Sequence, residues 1–162
     1  MHRLQASDAA FILRLVNEPS WLRYIGDKGV RTLEDAEQYI NNGPGDMYRR
    51  FGFGLWLVKR KSDDEAIGIC GLLKRDTLDD VDIGFALLPE FWRQGYAYEA
   101  ASATVQYARK VLGLERLAAI ASLDNTASRG LLEKLGFGLE CVVRFSPDDD
   151  ELNLFMLELG DA

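Results

Sequence analysis

The chain has 162 residues, of which 48% are apolar, and its 26 acidic and 19 basic side chains give a formal net charge of −7. This length and apolar content predict a single globular domain spanning residues 1–162. Because nucleic-acid binding requires clustered Lys and Arg, the net negative charge argues against a nucleic-acid partner.

The sequence lacks the patterns of several other protein classes. No apolar run approaches the roughly 18 residues of a membrane helix, and the amino terminus has no signal-peptide pattern, so we expect a cytoplasmic protein without a membrane partner. His2 is the one histidine, too few for a histidine-based zinc site or a Ser-His-Asp triad. Cys70 and Cys141 are far apart in the sequence and are expected to be free thiols. We therefore expect no metal.

The first 50 residues have the pattern of helices joined by irregular chain. Ser7 is a suitable N-cap for a helix over residues 7–17, which the following Glu-Pro-Ser sequence should end. The aromatic-rich segment 21–27 has no clear period. Thr32, with Asp35 three residues later, predicts the capped start of a second helix, which should end before the next Gly-Pro-Gly sequence.

From residue 51 onward the hydrophobic period changes to that of strands, and the last third alternates helix and strand. The predicted elements are strands over 51–58, 66–73 and 81–88, a helix over 94–112, a strand over 117–123, a helix over 127–135, and closing strands over 137–144 and 151–159. The order predicts a mixed α/β (α+β) fold.

The strand–helix–strand unit over residues 81–123 predicts two parallel strands joined by a right-handed crossover. Ligands of such units bind beyond the carboxyl ends of the strands, where the free N–H groups of the helix favour phosphate. Gly95 lets the backbone approach an anion closely, and Ala97 is similarly small. A tight turn before an ordinary helix is the alternative explanation of these two residues.

Gly84 interrupts an otherwise apolar strand, and an internal glycine often marks a bulge or a close backbone approach. A bulge would separate this strand from its parallel neighbour and leave backbone amides for an extended ligand. Phosphate at a helix start beside amides in a splayed strand pair predicts coenzyme A.

The segment after the second parallel strand carries three polar residues next to the same expected site. Asp124 or Asn125 is a suitable N-cap for the following helix, and capping alone would explain either residue. Ser128 lies one turn into that helix and has the alternative role of an ordinary solvent-exposed residue.

The ordered set of motifs resembles the GNAT superfamily of N-acetyltransferases and is most similar to its RimJ/RimL-like branch, which includes ribosomal-protein N-terminal acetyltransferases. The segments that carry the resemblance are Asp82-Ile-Gly-Phe85, Trp92-Arg-Gln-Gly-Tyr-Ala-Tyr-Glu-Ala100, Asn125-Thr-Ala-Ser128 and Leu131-Leu-Glu-Lys-Leu-Gly-Phe137.

The resemblance implies a GNAT fold, a mixed and mostly antiparallel sheet with a splayed parallel central strand pair and flanking helices. It also implies acetyl-CoA as the co-substrate, bound between the strands over 81–88 and 117–123. The residues implied to hold it are Phe85, Ala86 and Leu87 for the pantetheine, Arg93, Gln94, Gly95, Tyr96 and Ala97 for the pyrophosphate, and Asn125 and Ser128 near the thioester.

The chain departs from the family pattern at three places. Trp92 stands where many members have Gln or Arg and is expected to pack, and residues 1–4 leave room for only a stub of the first strand. Leu132 replaces a tyrosine that serves as a proton donor in many members. Ser128 is then the remaining candidate for that acid.

The implied reaction is direct attack of an amine on the thioester, since neither cysteine lies in a nucleophile motif. Asp82 is the first candidate for the general base, and a solvated residue at the start of its strand is the alternative. Asp124 is the second candidate. A non-catalytic acyl-CoA-binding or regulatory module is the competing function, which the missing tyrosine leaves open.

The expected acceptor is a protein N-terminal α-amine or a small-molecule amine, and the chain is expected to be a monomer or a homodimer. Four residues are candidates for the acceptor side, namely Trp21, Arg23, Tyr24 and Trp92. The acidic segments 76–82 and 148–151 are candidates for attracting a cationic amine.

Overall fold

The computed structural model describes residues 1–160, so the last two residues of the predicted domain lie outside the described residues. One seven-stranded mixed sheet runs through the described chain in the order β1-β2-β3-β4-β5-β7-β6. The strands are β1 (His2–Arg3), β2 (Leu55–Lys59), β3 (Ala66–Leu73), β4 (Asp82–Leu87), β5 (Arg116–Ser122), β6 (Gly138–Val143) and β7 (Leu152–Glu158). The β4–β5 pair is parallel and the other five pairs are antiparallel, which confirms the predicted fold.

The helices cover both faces of this sheet. They are α1 (Ala9–Leu15), α2 (Pro19–Tyr24), α3 (Leu33–Asn42), α4 (Pro44–Phe51), α5 (Tyr96–Lys110) and α6 (Thr126–Lys134). The sulfur of Cys70 in β3 lies 3.4 Å from the Thr104 hydroxyl of α5, so α5 covers one face. On the other face, the Ser122 hydroxyl of β5 donates to the Tyr24 carbonyl of α2 at 3.0 Å.

These contacts decide which face each strand residue presents, because side chains alternate along a strand. Phe85 pairs with Cys70 and so lies on the α5 face. Asp82, three residues earlier, lies on the opposite face, where it pairs with Ala118 of β5. Asp82 therefore faces the side of the sheet that the amino-terminal helices cover.

Local capping predicts the helix starts only in part. The reciprocal capping box between Thr32 and Asp35 is present, with the Asp35 amide 3.1 Å from the Thr32 hydroxyl and the Thr32 amide 2.9 Å from the Asp35 carboxylate. The predicted Ser7 cap is wrong, because a short 3₁₀ turn precedes α1. There the Gln5 amide donates instead to the Asp8 carboxylate at 2.9 Å.

Two helices occupy segments that the sequence pattern assigns elsewhere. Pro19 does not simply end the first helix; it lies in the first turn of α2, and Pro44 does the same for α4. The predicted strand over 51–58 therefore begins too early, since Phe51 is the last residue of α4. Proline suits a first helical turn because the N–H that it lacks would have no partner there.

The parallel pair parts as predicted, although for a different reason. β4 and β5 share one bridged pair, Asp82 with Ala118, and no further pair within the described residues. The β3–β4 register runs without a shift from Asp82 to Leu87, so the predicted bulge at Gly84 is wrong. A Cβ at Gly84 would lie 2.9 Å from Leu73 Cδ1, so tight packing explains this glycine.

Gly71 in β3 is the position where we expect an added methyl group to be least tolerated. Its Cβ would lie 2.1 Å from the Gly54 carbonyl oxygen and 2.8 Å from Leu55 Cα, and both contacts are with backbone. Gly71→Ala should therefore lower the free energy of unfolding by about 3 kcal/mol or more, as measured by urea denaturation. Gly130→Ala is the matched control because its Cβ would meet nothing within 4 Å in α6. That variant should gain about 0.5–1 kcal/mol, and equal effects of the two changes would contradict the packing account.

Candidate functional site

The cleft between β4 and β5 opens just beyond Asp82, and it leaves one edge of β4 without a strand partner among the described residues. Phe85 and Ala86, predicted to bind pantetheine, are half-buried along this edge, and Leu87 is buried. Unpaired strand edges carry backbone donors and acceptors that an extended amide-containing ligand matches. The carbonyl of Leu87 already accepts the indole N–H of Trp92 at 2.9 Å.

That hydrogen bond also places Trp92, which lies at the carboxyl end of β4 with nearly half of its surface exposed. The prediction that Trp92 packs is therefore only partly right. Its predicted place on the acceptor side stays a prediction. Trp21, a second acceptor candidate, is buried in the core, and its indole N–H has no partner among the described residues.

The loop before α5 presents a row of free amides at the end of the cleft. Arg93 and Gly95 have positive φ values of 59° and 87°, and Gly95 is the N-cap residue of α5. The first helix amide to reach a carbonyl is that of Glu99, which donates to Gly95 at 3.0 Å. The N–H groups over residues 93–98 have no acceptor within the described part of the chain. Alternating backbone conformations of this kind form anion-binding concavities, and the helix dipole adds to them.

The side chains of this loop differ in how they are held. Arg93 is exposed and forms no ion pair with the described residues. The side-chain amide of Gln94 donates a hydrogen bond to the Glu90 carbonyl at 2.8 Å. The ring of Tyr96 packs edge-on against Phe91, with 6.3 Å between the centroids. The loop therefore offers its backbone to a phosphate, and Ala97 keeps the approach open because its side chain is small.

Asn125 and Ser128 meet at the start of α6, on the β5 side of the cleft. The Asn125 side-chain oxygen accepts the Ser128 amide at 3.1 Å, so Asn125 is the N-cap that the sequence left open between two residues. Ser128 is half-buried, and its hydroxyl has no partner within residues 1–160. Asp124 is exposed and pairs with Arg23 of α2 at 2.8 Å. Leu132 is buried, which fits a packing role.

Asp82 is fully buried at the point where the two parallel strands part. Its alternative interpretation as a solvated strand-start residue is wrong. The Arg75 Nε–H lies 3.0 Å from one carboxylate oxygen and 3.1 Å from the other. Burial raises the pKa of Asp82 to about 6, and the charge and hydrogen bond of Arg75 oppose this increase. A carboxylate that changes protonation near pH 6 can accept a proton from an amine at neutral pH.

Arg75 is a site residue that sequence reasoning missed. A signal was available, because an acidic residue inside an apolar strand needs a charged or hydrogen-bonding partner. Several basic residues could supply it, and only the folded turn between β3 and β4 selects Arg75.

Together these features fit coenzyme A. The free amides over residues 93–98 suit its pyrophosphate, and the open edge of β4 suits the amides of its pantetheine arm. The Asp82 carboxylate lies on β4, and the half-buried Ser128 hydroxyl lies in the first turn of α6, which follows β5.

Residues 1–138 match the family described as "Acetyltransferase (GNAT) domain". The uncharacterized N-acetyltransferase YoaA of Bacillus subtilis is 31% identical over 145 residues, which cover 89% of this chain and 81% of that protein. The ribosomal-protein-S5-alanine acetyltransferase of Vibrio fischeri has a TM-score of 0.81 at 19% identity, covering 99% and 92% of the two chains. Spermidine N-acetyltransferase of Vibrio cholerae, solved with CoA and spermine, has a TM-score of 0.79 at 17% identity, covering 99% and 95%.

The chain belongs to the GNAT acetyltransferase family, and the predictions of an acetyltransferase and of acetyl-CoA as its co-substrate are confirmed. The structural neighbours include both ribosomal-protein and spermidine acetyltransferases, and at these identities they establish a shared fold only. Within the described residues, no helix is long and apolar enough to span a membrane.

Arg75 should control the protonation of Asp82. Replacing Arg75 by Gln removes the positive charge and the hydrogen bond that lower the pKa of Asp82, so that pKa should rise from about 6 to about 7 or above. The carboxyl carbon of Asp82, followed by NMR across a pH titration, measures this change directly. Arg116→Gln is the matched control, since Arg116 pairs with Asp80 at 2.9 Å instead. An Asp82 titration that is the same in wild type and Arg75→Gln would disprove the assignment.

Proposed function

We propose that this acetyltransferase transfers the acetyl group of acetyl-CoA directly to a primary amine, either a protein N-terminal α-amine or a small-molecule amine, with Asp82 as the general base. The observation that carries the proposal is the buried Asp82 carboxylate at the point where β4 and β5 part. The sequence motifs that resemble the RimJ/RimL-like branch support a place in that branch.

The cleft orients the co-substrate, which supplies an activated thioester when it binds. Amides over residues 93–98 would hold the pyrophosphate, and the open edge of β4 over Phe85 to Leu87 would pair with the pantetheine. Asn125 would contact the same chain from the β5 side. Backbone N–H groups near Phe85 would stabilise the negative charge that develops on the carbonyl oxygen.

Asp82 would remove the proton that makes an ammonium group unreactive. At pH 7 this deprotonation requires about 1 kcal/mol for an α-amine and about 4.6 kcal/mol for a lysine side chain. A base whose pKa is about 6 is ionised at neutral pH and suits the α-amine. Ser128 is the candidate donor to the departing sulfur because its hydroxyl is half-buried and unpartnered among the described residues.

Direct transfer is favoured over an acyl-enzyme because neither cysteine is suited to attack. Burial raises the pKa of Cys70 to about 11, which keeps it a thiol. Cys70 also lies on the α5 face, opposite Asp82. Cys141 is exposed on β6, at the far edge of the sheet.

Binding of coenzyme A should depend on the conformation of Gly95. Gly95→Ala places a side chain at φ 87°, which strains the backbone by about 1 kcal/mol and shifts the phosphate-facing amides. We expect the Kd for coenzyme A, measured by calorimetry, to rise at least about tenfold. Gly113→Ala is the matched control, because Gly113 also has positive φ (64°) and open space around its Cβ, but it follows the other end of α5. Equal losses of affinity in both variants would contradict the phosphate role of the loop.

Asp82→Asn should lower kcat/KM for an α-amine acceptor at pH 7 by about 100-fold, the usual contribution of a general base. The rise of the wild-type pH–rate profile near pH 6 should move towards pH 8, where the amine loses its own proton. The assay follows release of free CoA thiol from acetyl-CoA with an amine panel.

Asp124→Asn is the matched control, because Asp124 is the other candidate base and pairs with Arg23 on the surface. Its profile should coincide with that of wild type. If Asp124→Asn moves the profile and Asp82→Asn does not, the roles are reversed. Binding of acetyl-CoA without thiol release for any amine would instead support the non-catalytic module.

A further inference from the structure

Arg75 has hydrogen-bonding capacity that Asp82 does not use. A guanidinium carries five N–H donors in a planar fork, and only its Nε–H is engaged by Asp82, at 3.0 and 3.1 Å. The two terminal amino groups have no acceptor within residues 1–160. The side chain is 38% exposed, so the free end of the fork is accessible.

Lys28 and Tyr39 lie within the electrostatic reach of this fork. Burial lowers the pKa of Lys28, and the positive charge of Arg75 lowers it further. Burial raises the pKa of Tyr39, against the influence of the same arginine. Lys28 and Tyr39 also line one surface cavity of about 410 Å³, between the α2–α3 loop and α3. Lys28 forms no ion pair with the described residues.

Two basic side chains act on the Asp82 carboxylate. The charges of Arg75 and Lys74 both act on Asp82, and the charge of Arg75 also acts on Lys28. Asp35 also lines the cavity, but its carboxylate already accepts the amides of Arg31 and Thr32, each at 2.9 Å. Lys28 and the free end of Arg75 therefore remain available to an anion, in a protein whose formal charge is −7.

We propose that the free fork of Arg75, together with Lys28, binds a carboxylate of the acceptor, so that the preferred acceptor is an amine that carries a carboxylate. This inference rests on the proposed function. A guanidinium binds a carboxylate through two parallel hydrogen bonds. The three nitrogens of a guanidinium are bonded to one carbon atom. An acceptor carboxylate bound by the two terminal nitrogens of Arg75 would therefore lie close to Asp82, which is bound by Nε. The adjacent amine of an amino acid then reaches the base.

An acidic depression on the face of the sheet that Asp82 occupies favours a different acceptor, a polyamine without a carboxylate. It has a volume of about 270 Å³ and is lined by Asp76, Asp79 and Glu140, among others. Arg116, in the same lining, pairs with Asp80. The positive charges of a polyamine would be attracted to this surface. Spermidine is therefore the comparison substrate for the competing acceptor class.

The test compares acceptors that differ only in the carboxylate. Amino acids are assayed beside their C-terminal amides, and dipeptides with amino-terminal Asp beside those with amino-terminal Asn, by thiol release from acetyl-CoA. We expect kcat/KM for the carboxylate form to exceed that of its neutral partner at least about tenfold in one pair, with spermidine below both. The pair that shows the preference identifies the source of the carboxylate, a free amino acid or an acidic chain terminus.

Variants of Lys28 and Arg75 test whether these two side chains cause the preference for a carboxylate-bearing acceptor. Lys28→Gln should reduce the carboxylate preference severalfold and leave kcat/KM for the neutral partner nearly unchanged. Arg75→Lys keeps the charge but loses the fork, and it should also reduce the ratio, whatever its effect on overall rate. Lys61→Gln is the control, since Lys61 is exposed on the β2–β3 hairpin and should leave the ratio at its wild-type value.

The outcomes separate this inference from the function on which it rests. Transfer to amines with equal kcat/KM for both members of every pair, or with spermidine preferred, overturns the carboxylate site and leaves the acetyltransferase proposal intact. A preference that survives both Lys28→Gln and Arg75→Lys also overturns it. Absence of transfer to every amine overturns both proposals.

Discussion

The end of the parallel pairing at Asp82 is the constraint on which the rest of the site depends. β4 remains paired with β3 along its whole length, and β5 with β7, so the sheet stays intact while its centre opens. Since the opening lies between two parallel strands, the amino termini of α5 and α6 both begin at its wide end. Backbone donors, helix dipoles and the Asp82 carboxylate therefore surround one cleft without a dedicated binding domain.

The sheet could be predicted from the sequence where local pattern and tertiary packing agree. Strand β3 begins and ends as predicted because its apolar run is bounded by charged turns. The two short helices were missed because six or eight residues are too few to show a 3.6-residue period, and because Pro19 and Pro44 suggest chain breaks as readily as helix starts. The prediction of a bulge at Gly84 was wrong for a related reason. A glycine in a strand indicates close approach, and only the fold shows that the approaching group is the Leu73 side chain.

The functional site also has features that the local sequence predicts and features that only the fold determines. The Gly95 turn and the cap of α6 are local features, so sequence spacing could place them and the structure could then choose Asn125 over Asp124. The pairing of Asp82 with Arg75 depends instead on the path of the turn between β3 and β4, which composition does not reveal. The acidic segment 76–82 likewise looks uniform in the sequence. In the fold, Asp80 pairs with Arg116 on the surface, whereas Asp82 turns inward.

The net charge of the chain therefore does not describe the electrostatic environment of the Asp82 carboxylate. A buried carboxylate whose pKa is about 6 destabilises the folded state as pH rises, because the native protein binds more protons than the unfolded chain between about pH 4 and pH 6. The penalty of ionisation reaches about 3 kcal/mol above that range, and the hydrogen bonds from Arg75 limit it. Retaining such a residue where the two strands part is explained by a use of its proton exchange. The same arginine that limits the penalty keeps two terminal amino groups free, so one side chain holds the buried carboxylate and still presents positive charge at the surface.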